Sequence, residues 1–333
     1  MNIKFIIAVV VLTIIALFFS ASSDKQDDLS VQTDSTTSVT TTQKVKPTTT
    51  NPSQTDVSQE DMSVGVTAPT VKFDISAPNA GLYNISEAKV IYEKNAEEKI
   101  APASLTKVLT AITALTYMKS DTVLTVGSEL DLMPKQSSIC LIAKGHKLTL
   151  YDLLTGMLLA SGNDAAYTIA VNVARHVSGR DKLSDKEAVA YFVDLMNGIA
   201  KDLYCTDSKF KSPDGSDTDG QYTTVQDLSI ICLHAITFKE ICEIISIAKK
   251  NVVFKSGQNI TWSNTNKLLH SDSEFYMPQA IGMKTGSTTK AGNCLIGLAN
   301  VDGQIYLSIV AGCKTDADRY NSSKTLLSNS ATK

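Results

Sequence analysis

The chain has 333 residues, 43% of them hydrophobic and 20% charged, enough to bury a substantial core. Its 31 basic and 34 acidic side chains give a net charge of −3, which excludes the basic stripe of a nucleic-acid binder. That charge is local: residues 21–70 hold seven acidic and three basic side chains, residues 1–20 only Lys4, so residues 71–333 are neutral.

Residues 5–19 form an apolar run behind Lys4 and are followed by small residues at 20–23. This is the pattern of an export signal, with residues 1–22 read as a signal peptide or a retained N-terminal membrane anchor. Either way the body is expected outside the cytoplasm. Residues 23–70 are rich in Ser and Thr and lack aromatic residues, so they cannot bury enough apolar area to offset chain entropy. They read as a disordered linker, and residues 71–333 as one folded domain.

Within that domain, residues 80–84 and 89–92 read as two short strands around a turn. Leu105, Val108, Leu109, Ile112, Leu115 and Met118 recur with helical period. Residues 148–159 and 163–177 read as two further helices, the first opening on the capping pair Thr149 and Asp152. Residues 295–300 and 305–311 flank Asp302-Gly303, a hairpin signal, and a closing helix is expected from Asp316. Strands at both ends with helices between them predict an α/β domain whose termini meet in one sheet.

The six cysteines form no C-x-x-C and most have apolar neighbours, so they read as small buried hydrophobes with no legible pairing. His146, His176, His234 and His270 sit in no metal-ligand spacing, and no metal or cofactor is expected.

Serine chemistry without a histidine base needs another proton acceptor. Ser-x-x-Lys offers one, because i and i+3 share a helix face. It occurs seven times, but only Ser104-Leu105-Thr106-Lys107 opens a strongly periodic helix. Ser161-Gly162-Asn163, the single Ser-x-Asn, lies between two apolar helices, where capping alone would also favour Ser and Asn. Lys284-Thr285-Gly286 precedes the final hairpin and suits an edge strand. Its counterpart Lys255-Ser256-Gly257 reads instead as a hairpin turn.

The ordered set S-x-x-K, S-x-N, K-T-G resembles that of penicillin-binding proteins and class A β-lactamases. Residues 92–107, the Leu148–Leu154 and Leu158–Ala166 stretches, Phe192–Asn197, Asn264-Thr265-Asn266-Lys267-Leu268-Leu269 and Gly282–Gly286 resemble, more specifically, the serine D-Ala-D-Ala carboxypeptidases of low molecular mass. The resemblance covers roughly residues 72–330. It implies a β-lactamase/transpeptidase-like fold: an antiparallel sheet of N- and C-terminal strands flanked by helices, plus a mainly helical subdomain. The implied substrate is a peptidoglycan stem peptide ending in D-Ala-D-Ala, with β-lactams as inhibitors.

By the same resemblance Ser104 is the nucleophile, Lys107 its base and Ser161 a proton relay between Lys107 and Lys284. Asn163 holds the substrate peptide group, and Lys284, Thr285 and Gly286 line the carboxylate side. The N–H groups of Ser104 and Ser287 form the oxyanion hole. An ordinary lysine with pKa near 10.4 is only about 0.04% neutral at pH 7, so burial and a second cation, Lys284, are expected to lower Lys107. Two departures stand out. Asp214 occupies a position where the family often has histidine. The sequence carries 47 residues after Gly286, without the C-terminal β-domain and amphipathic anchor of many members, so membrane attachment is expected only through the N-terminus. A β-lactamase of the same fold is an alternative, although no E-x-x-L-N segment follows Ala166. A non-catalytic penicillin-recognising, wall-binding module is another.

Overall fold

The computed structural model describes residues 72–135 and 137–330. The apolar N-terminal segment and the Ser/Thr-rich linker lie outside the described residues. Among the described residues no helix is long and apolar enough to cross a membrane.

The two ends of the described region meet in one five-stranded antiparallel sheet. Strands β1 (Asn79–Asn84) and β2 (Lys89–Lys94) come from the N-terminal side. Strands β7 (Ala280–Thr288), β8 (Gly292–Val301) and β9 (Gln304–Cys313) come from the C-terminal side. The order is β2-β1-β9-β8-β7, so β1 pairs with β9, with Leu82 opposite Ser308. Val301 pairs with Gln304 across Asp302-Gly303, whose φ angles of 52° and 81° give the doubly left-handed turn that suits strand twist. Strand β7, with the Lys284 triplet, is an edge strand as expected.

Seven helices are described. Helix α1 spans Thr106–Tyr117, α2 Leu150–Leu159 and α3 Asn163–Ser178. Helix α4 spans Asp185–Asp202, α5 Val225–Ala235, α6 Lys239–Ile245 and α7 Asp316–Ser328. The capping box at Thr149 and Asp152 forms as the sequence suggests. That helix begins two residues later than expected, because Lys147–Thr149 is strand β4, paired with β3 (Val123–Thr125). Helices α4, α5 and α6 were not delimited by periodicity and belong to the expected helical subdomain. A second small hairpin joins β5 (Lys249–Val253) to β6 (Asn259–Ser263), and Lys255 lies exposed in its turn.

Strand alternation gives the sheet two buried faces. Leu295, Ala299, Tyr306 and Val310 pack with Tyr320, Leu326 and Leu327 of α7. Cys294, Ile296, Leu298, Leu307 and Ile309 face the other way and join the large core of α1 to α6. All six cysteines are free thiols, five of them buried. The buried thiols are pushed up in pKa by desolvation and act as small apolar fillers.

Candidate active site

Helix α1 is preceded by a 3-10 turn, Ala103–Leu105, with Pro102 at its entry. Ser104 is therefore in this turn and not in the first α-turn. The difference helps the pair: at three residues per turn, i and i+3 eclipse. Lys107 Nζ donates to Ser104 Oγ at 2.9 Å. Ala103, immediately before the serine, has a φ of 48°, a left-handed conformation that costs an alanine about 1–2 kcal/mol. Ser104 is half-buried, whereas Lys107 is fully buried.

A buried ammonium has three protons to place. Besides Ser104, Lys107 donates to Asn163 Oδ1 at 2.8 Å and to the backbone oxygen of Asp214 at 2.9 Å. The expected bridge through Ser161 to both lysines is thus not what forms: all three Lys107 protons are directed elsewhere. Ser161 Oγ accepts from Lys284 Nζ at 2.9 Å.

Ser161 lies in the break between α2 and α3, again left-handed, with a φ of 59°. Asn163 follows as the first residue of α3. Asp164 is buried beside it and accepts from the N–H groups of Cys140 and Ile142, at 2.9 and 3.1 Å. With the Asn163 N–H bonded to the oxygen of Ser138 at 2.8 Å, this fixes the segment around Cys140 against α3. Asp164 was not singled out in the sequence, where it reads as a helix cap.

Lys284 projects from β7 and is fully buried, its ammonium also donating to the Thr285 oxygen at 3.0 Å. Gly286 lies directly beneath the nucleophile turn: a Cβ there would sit 3.1 Å from Ala103 Cβ and 3.2 Å from the Ser104 nitrogen. The strand can approach only because the residue is glycine. Lys107 joins Ser104 to Asn163 and Lys284 joins β7 to Ser161, while Gly286 of the same strand packs on the Ser104 turn. Ser287 follows and is exposed. The structure brings together every residue singled out for the site, and the Lys255 triplet is not part of it.

Two further side chains join this cluster, Arg319 without a sequence signal of its own and Thr265 from the Asn264–Leu269 stretch, where the resemblance assigns it no role. Arg319 of α7 donates to the Gly286 oxygen at 3.1 Å and to Ser287 Oγ at 2.9 Å, and pairs with Asp316. Thr265, in the segment after β6, places its hydroxyl 2.6 Å from that of Thr285.

Burial, the largest cause, lowers Lys107 to about 8, while the charges of Asp214 and Asp164 pull it back up. Lys107 and Lys284 are both buried, and two ammonium groups there repel each other, which disfavours the charged form of each. Lys284 is held well below the ordinary lysine range, by burial first and then by the charges of Lys107 and Arg319.

An antiparallel sheet with a serine–lysine pair at its edge strand and helices opposite is the fold of the penicillin-binding proteins and serine β-lactamases. The chain belongs to the D-alanyl-D-alanine carboxypeptidase family, whose model matches residues 62–315. It is 33% identical over 256 residues to the D-alanyl-D-alanine carboxypeptidase DacC of Escherichia coli, covering 74% of this chain and 59% of that one. The crystal structure of a Streptomyces DD-transpeptidase superposes with a TM-score of 0.72 at 26% identity, covering 79% of this chain and 100% of that chain. A penicillin-binding protein of Listeria monocytogenes in its ampicillin-bound form gives a TM-score of 0.62 at 28% identity, covering 78% and 98%. The chain spans 59% of the length of its E. coli and Bacillus subtilis carboxypeptidase relatives.

Proposed function

We propose that this protein is a serine D-Ala-D-Ala carboxypeptidase that removes the terminal D-alanine from peptidoglycan stem peptides. The carrying observation is the 2.9 Å contact between Ser104 Oγ and a fully buried Lys107. At a pKa of about 8, roughly a tenth of Lys107 is neutral at pH 7, a few hundred-fold more than for a free lysine. A neutral Lys107 accepts the Ser104 proton as Oγ attacks the penultimate carbonyl carbon. The N–H groups of Ser104 and Ser287 stabilise the developing oxyanion, worth roughly 2.7–4 kcal/mol per donor.

The C–N bond then breaks and the leaving amine takes a proton, delivered along the Lys284–Ser161 pair or directly from Lys107. D-alanine departs, leaving an ester on Ser104 that water hydrolyses. Asn163 spends its oxygen on Lys107, so its amide N–H groups are left to hold the substrate peptide. Lys284, Thr285 and Ser287, backed by Arg319, face the terminal carboxylate, whose charge favours the protonated form of Lys284. β-Lactams are stable acylating mimics of the same substrate. The substrate lies outside the cytoplasm, which agrees with residues 5–19 acting as an export signal or anchor.

The test incubates the full chain with a pentapeptide ending in D-Ala-D-Ala and measures released D-alanine, with Ser104→Ala as control. Release by wild type alone, and loss of fluorescent-penicillin labelling in the variant, support the proposal. Labelling retained by Ser104→Ala would overturn the nucleophile. Rapid nitrocefin turnover without D-alanine release would identify a lactamase instead.

A further inference from the structure

Among the stretches that carry the family resemblance, Asn264–Leu269 is one to which the reaction gives no role. Its second residue carries one. Thr265 is exposed, yet its backbone is fixed on both sides. Its N–H donates to the Leu159 oxygen at 2.9 Å, and its own oxygen accepts from Tyr320 Oη at 2.9 Å. Leu159 stands two residues before Ser161, and Tyr320 directly follows Arg319. Thr265 is therefore tied to all three elements that surround the carboxylate side, and its Oγ1 lies 2.6 Å from Thr285 Oγ1.

Two hydroxyls at this distance share one proton, and its direction matters. If Thr285 donates to Thr265, it presents only lone pairs to an incoming anion. If Thr265 donates to Thr285, the Thr285 proton is free to point at the anion. We propose that Thr265 is a positioning residue: it donates to Thr285 Oγ1, turns the Thr285 hydroxyl into a donor for the substrate's terminal carboxylate, and so sets the preference for a free C-terminus. This inference rests on the carboxypeptidase reading. Thr265 touches neither Ser104 nor Lys107, so it acts on recognition and not on bond breaking.

The test compares wild type with Thr265→Val, which keeps the branched shape but cannot donate, and with Thr265→Ser, which can. Substrates are a D-Ala-D-Ala pentapeptide with a free carboxylate and its C-terminal carboxamide. The expected result for Thr265→Val is a KM for the carboxylate peptide raised about threefold, because Thr285 keeps its proton but loses the neutral hydrogen bond that orients it, with kcat within about twofold. Its preference for carboxylate over carboxamide falls by the same factor, and Thr265→Ser restores both. An unchanged KM in Thr265→Val, or equal loss on both peptides, overturns the inference while leaving the carboxypeptidase reading intact. Failure of the wild type to cleave the carboxylate peptide overturns both.

Discussion

Lys107 Nζ donates to Ser104 Oγ across 2.9 Å, the serine in a 3-10 turn and the lysine in the α-helix that continues it. The base is built as a buried ammonium with three acceptors, so its proton must be lost before it can take another. The rate of acylation by a β-lactam is therefore expected to rise with pH through an apparent pKa near 8, the value to which burial lowers Lys107. Stopped-flow acylation between pH 6 and 10 measures this directly. A rate independent of pH across that range would remove Lys107 as the base.

The same burial makes stability depend on pH. Lys107 is lowered from 10.5 to about 8. Below that window both folded and unfolded chains hold the proton, and above it neither does. Inside the window only the unfolded chain holds it, so wild-type stability rises with pH. Lys107→Met lacks this term. Relative to the variant, wild type is expected to gain up to about 3 kcal/mol as pH rises from 8 to 10.5. Urea denaturation of both proteins at pH 7.5 and 10.5 measures the change. A difference that stays constant, or moves toward the variant, contradicts it.

Gly286 is the contact between β7 and the nucleophile turn. A methyl group there meets Ala103 Cβ at 3.1 Å and the Ser104 and Leu105 nitrogens at 3.2 and 3.3 Å. The strand must shift by a few tenths of an ångström, moving the Ser287 N–H away from the oxyanion position. Gly286→Ala is expected to slow acylation about ten- to a hundredfold while lowering Tm by only a few degrees. Penicillin labelling kinetics and a thermal melt on one preparation separate the two effects. A large loss of Tm with normal acylation would place the role of Gly286 in folding alone.

These residues also show what a sequence can carry. Ser104, Lys107, Ser161, Asn163 and Lys284 were legible because three motifs, each weak alone, stand in the order that resembles the family's set, at a proline entry, a break between two apolar helices and a strand before a hairpin. The sheet was legible because Asp302-Gly303 and the strands at both chain ends are local signals. Arg319 and Thr265 were not, since each reaches the site only through tertiary register. Arg319 arrives from a helix packed on the far face of the sheet, and Thr265 from a loop fixed by Leu159 and Tyr320.

Asp214 illustrates the same point and carries the last prediction. It departs from the histidine common at this position, yet the atom that serves Lys107 is its backbone oxygen, which any residue provides. The side chain turns to Ser216, accepting from its N–H at 3.1 Å and from its hydroxyl. What the identity of residue 214 does control is charge. The Asp214 carboxylate is the largest influence pulling Lys107 back up, against burial. Asp214→Asn keeps the backbone oxygen and can still accept from Ser216, but removes that charge. The protonated form of Lys107 loses support, so its pKa falls and the rise of acylation rate is expected to move to lower pH. At pH 7 the variant then acylates faster than wild type, while the plateau rate at high pH is unchanged. The pH profile of β-lactam acylation for both proteins provides the check. A shift to higher pH, or a loss of rate across the whole profile, would mean that Asp214 acts through the shape of its loop and not through its charge.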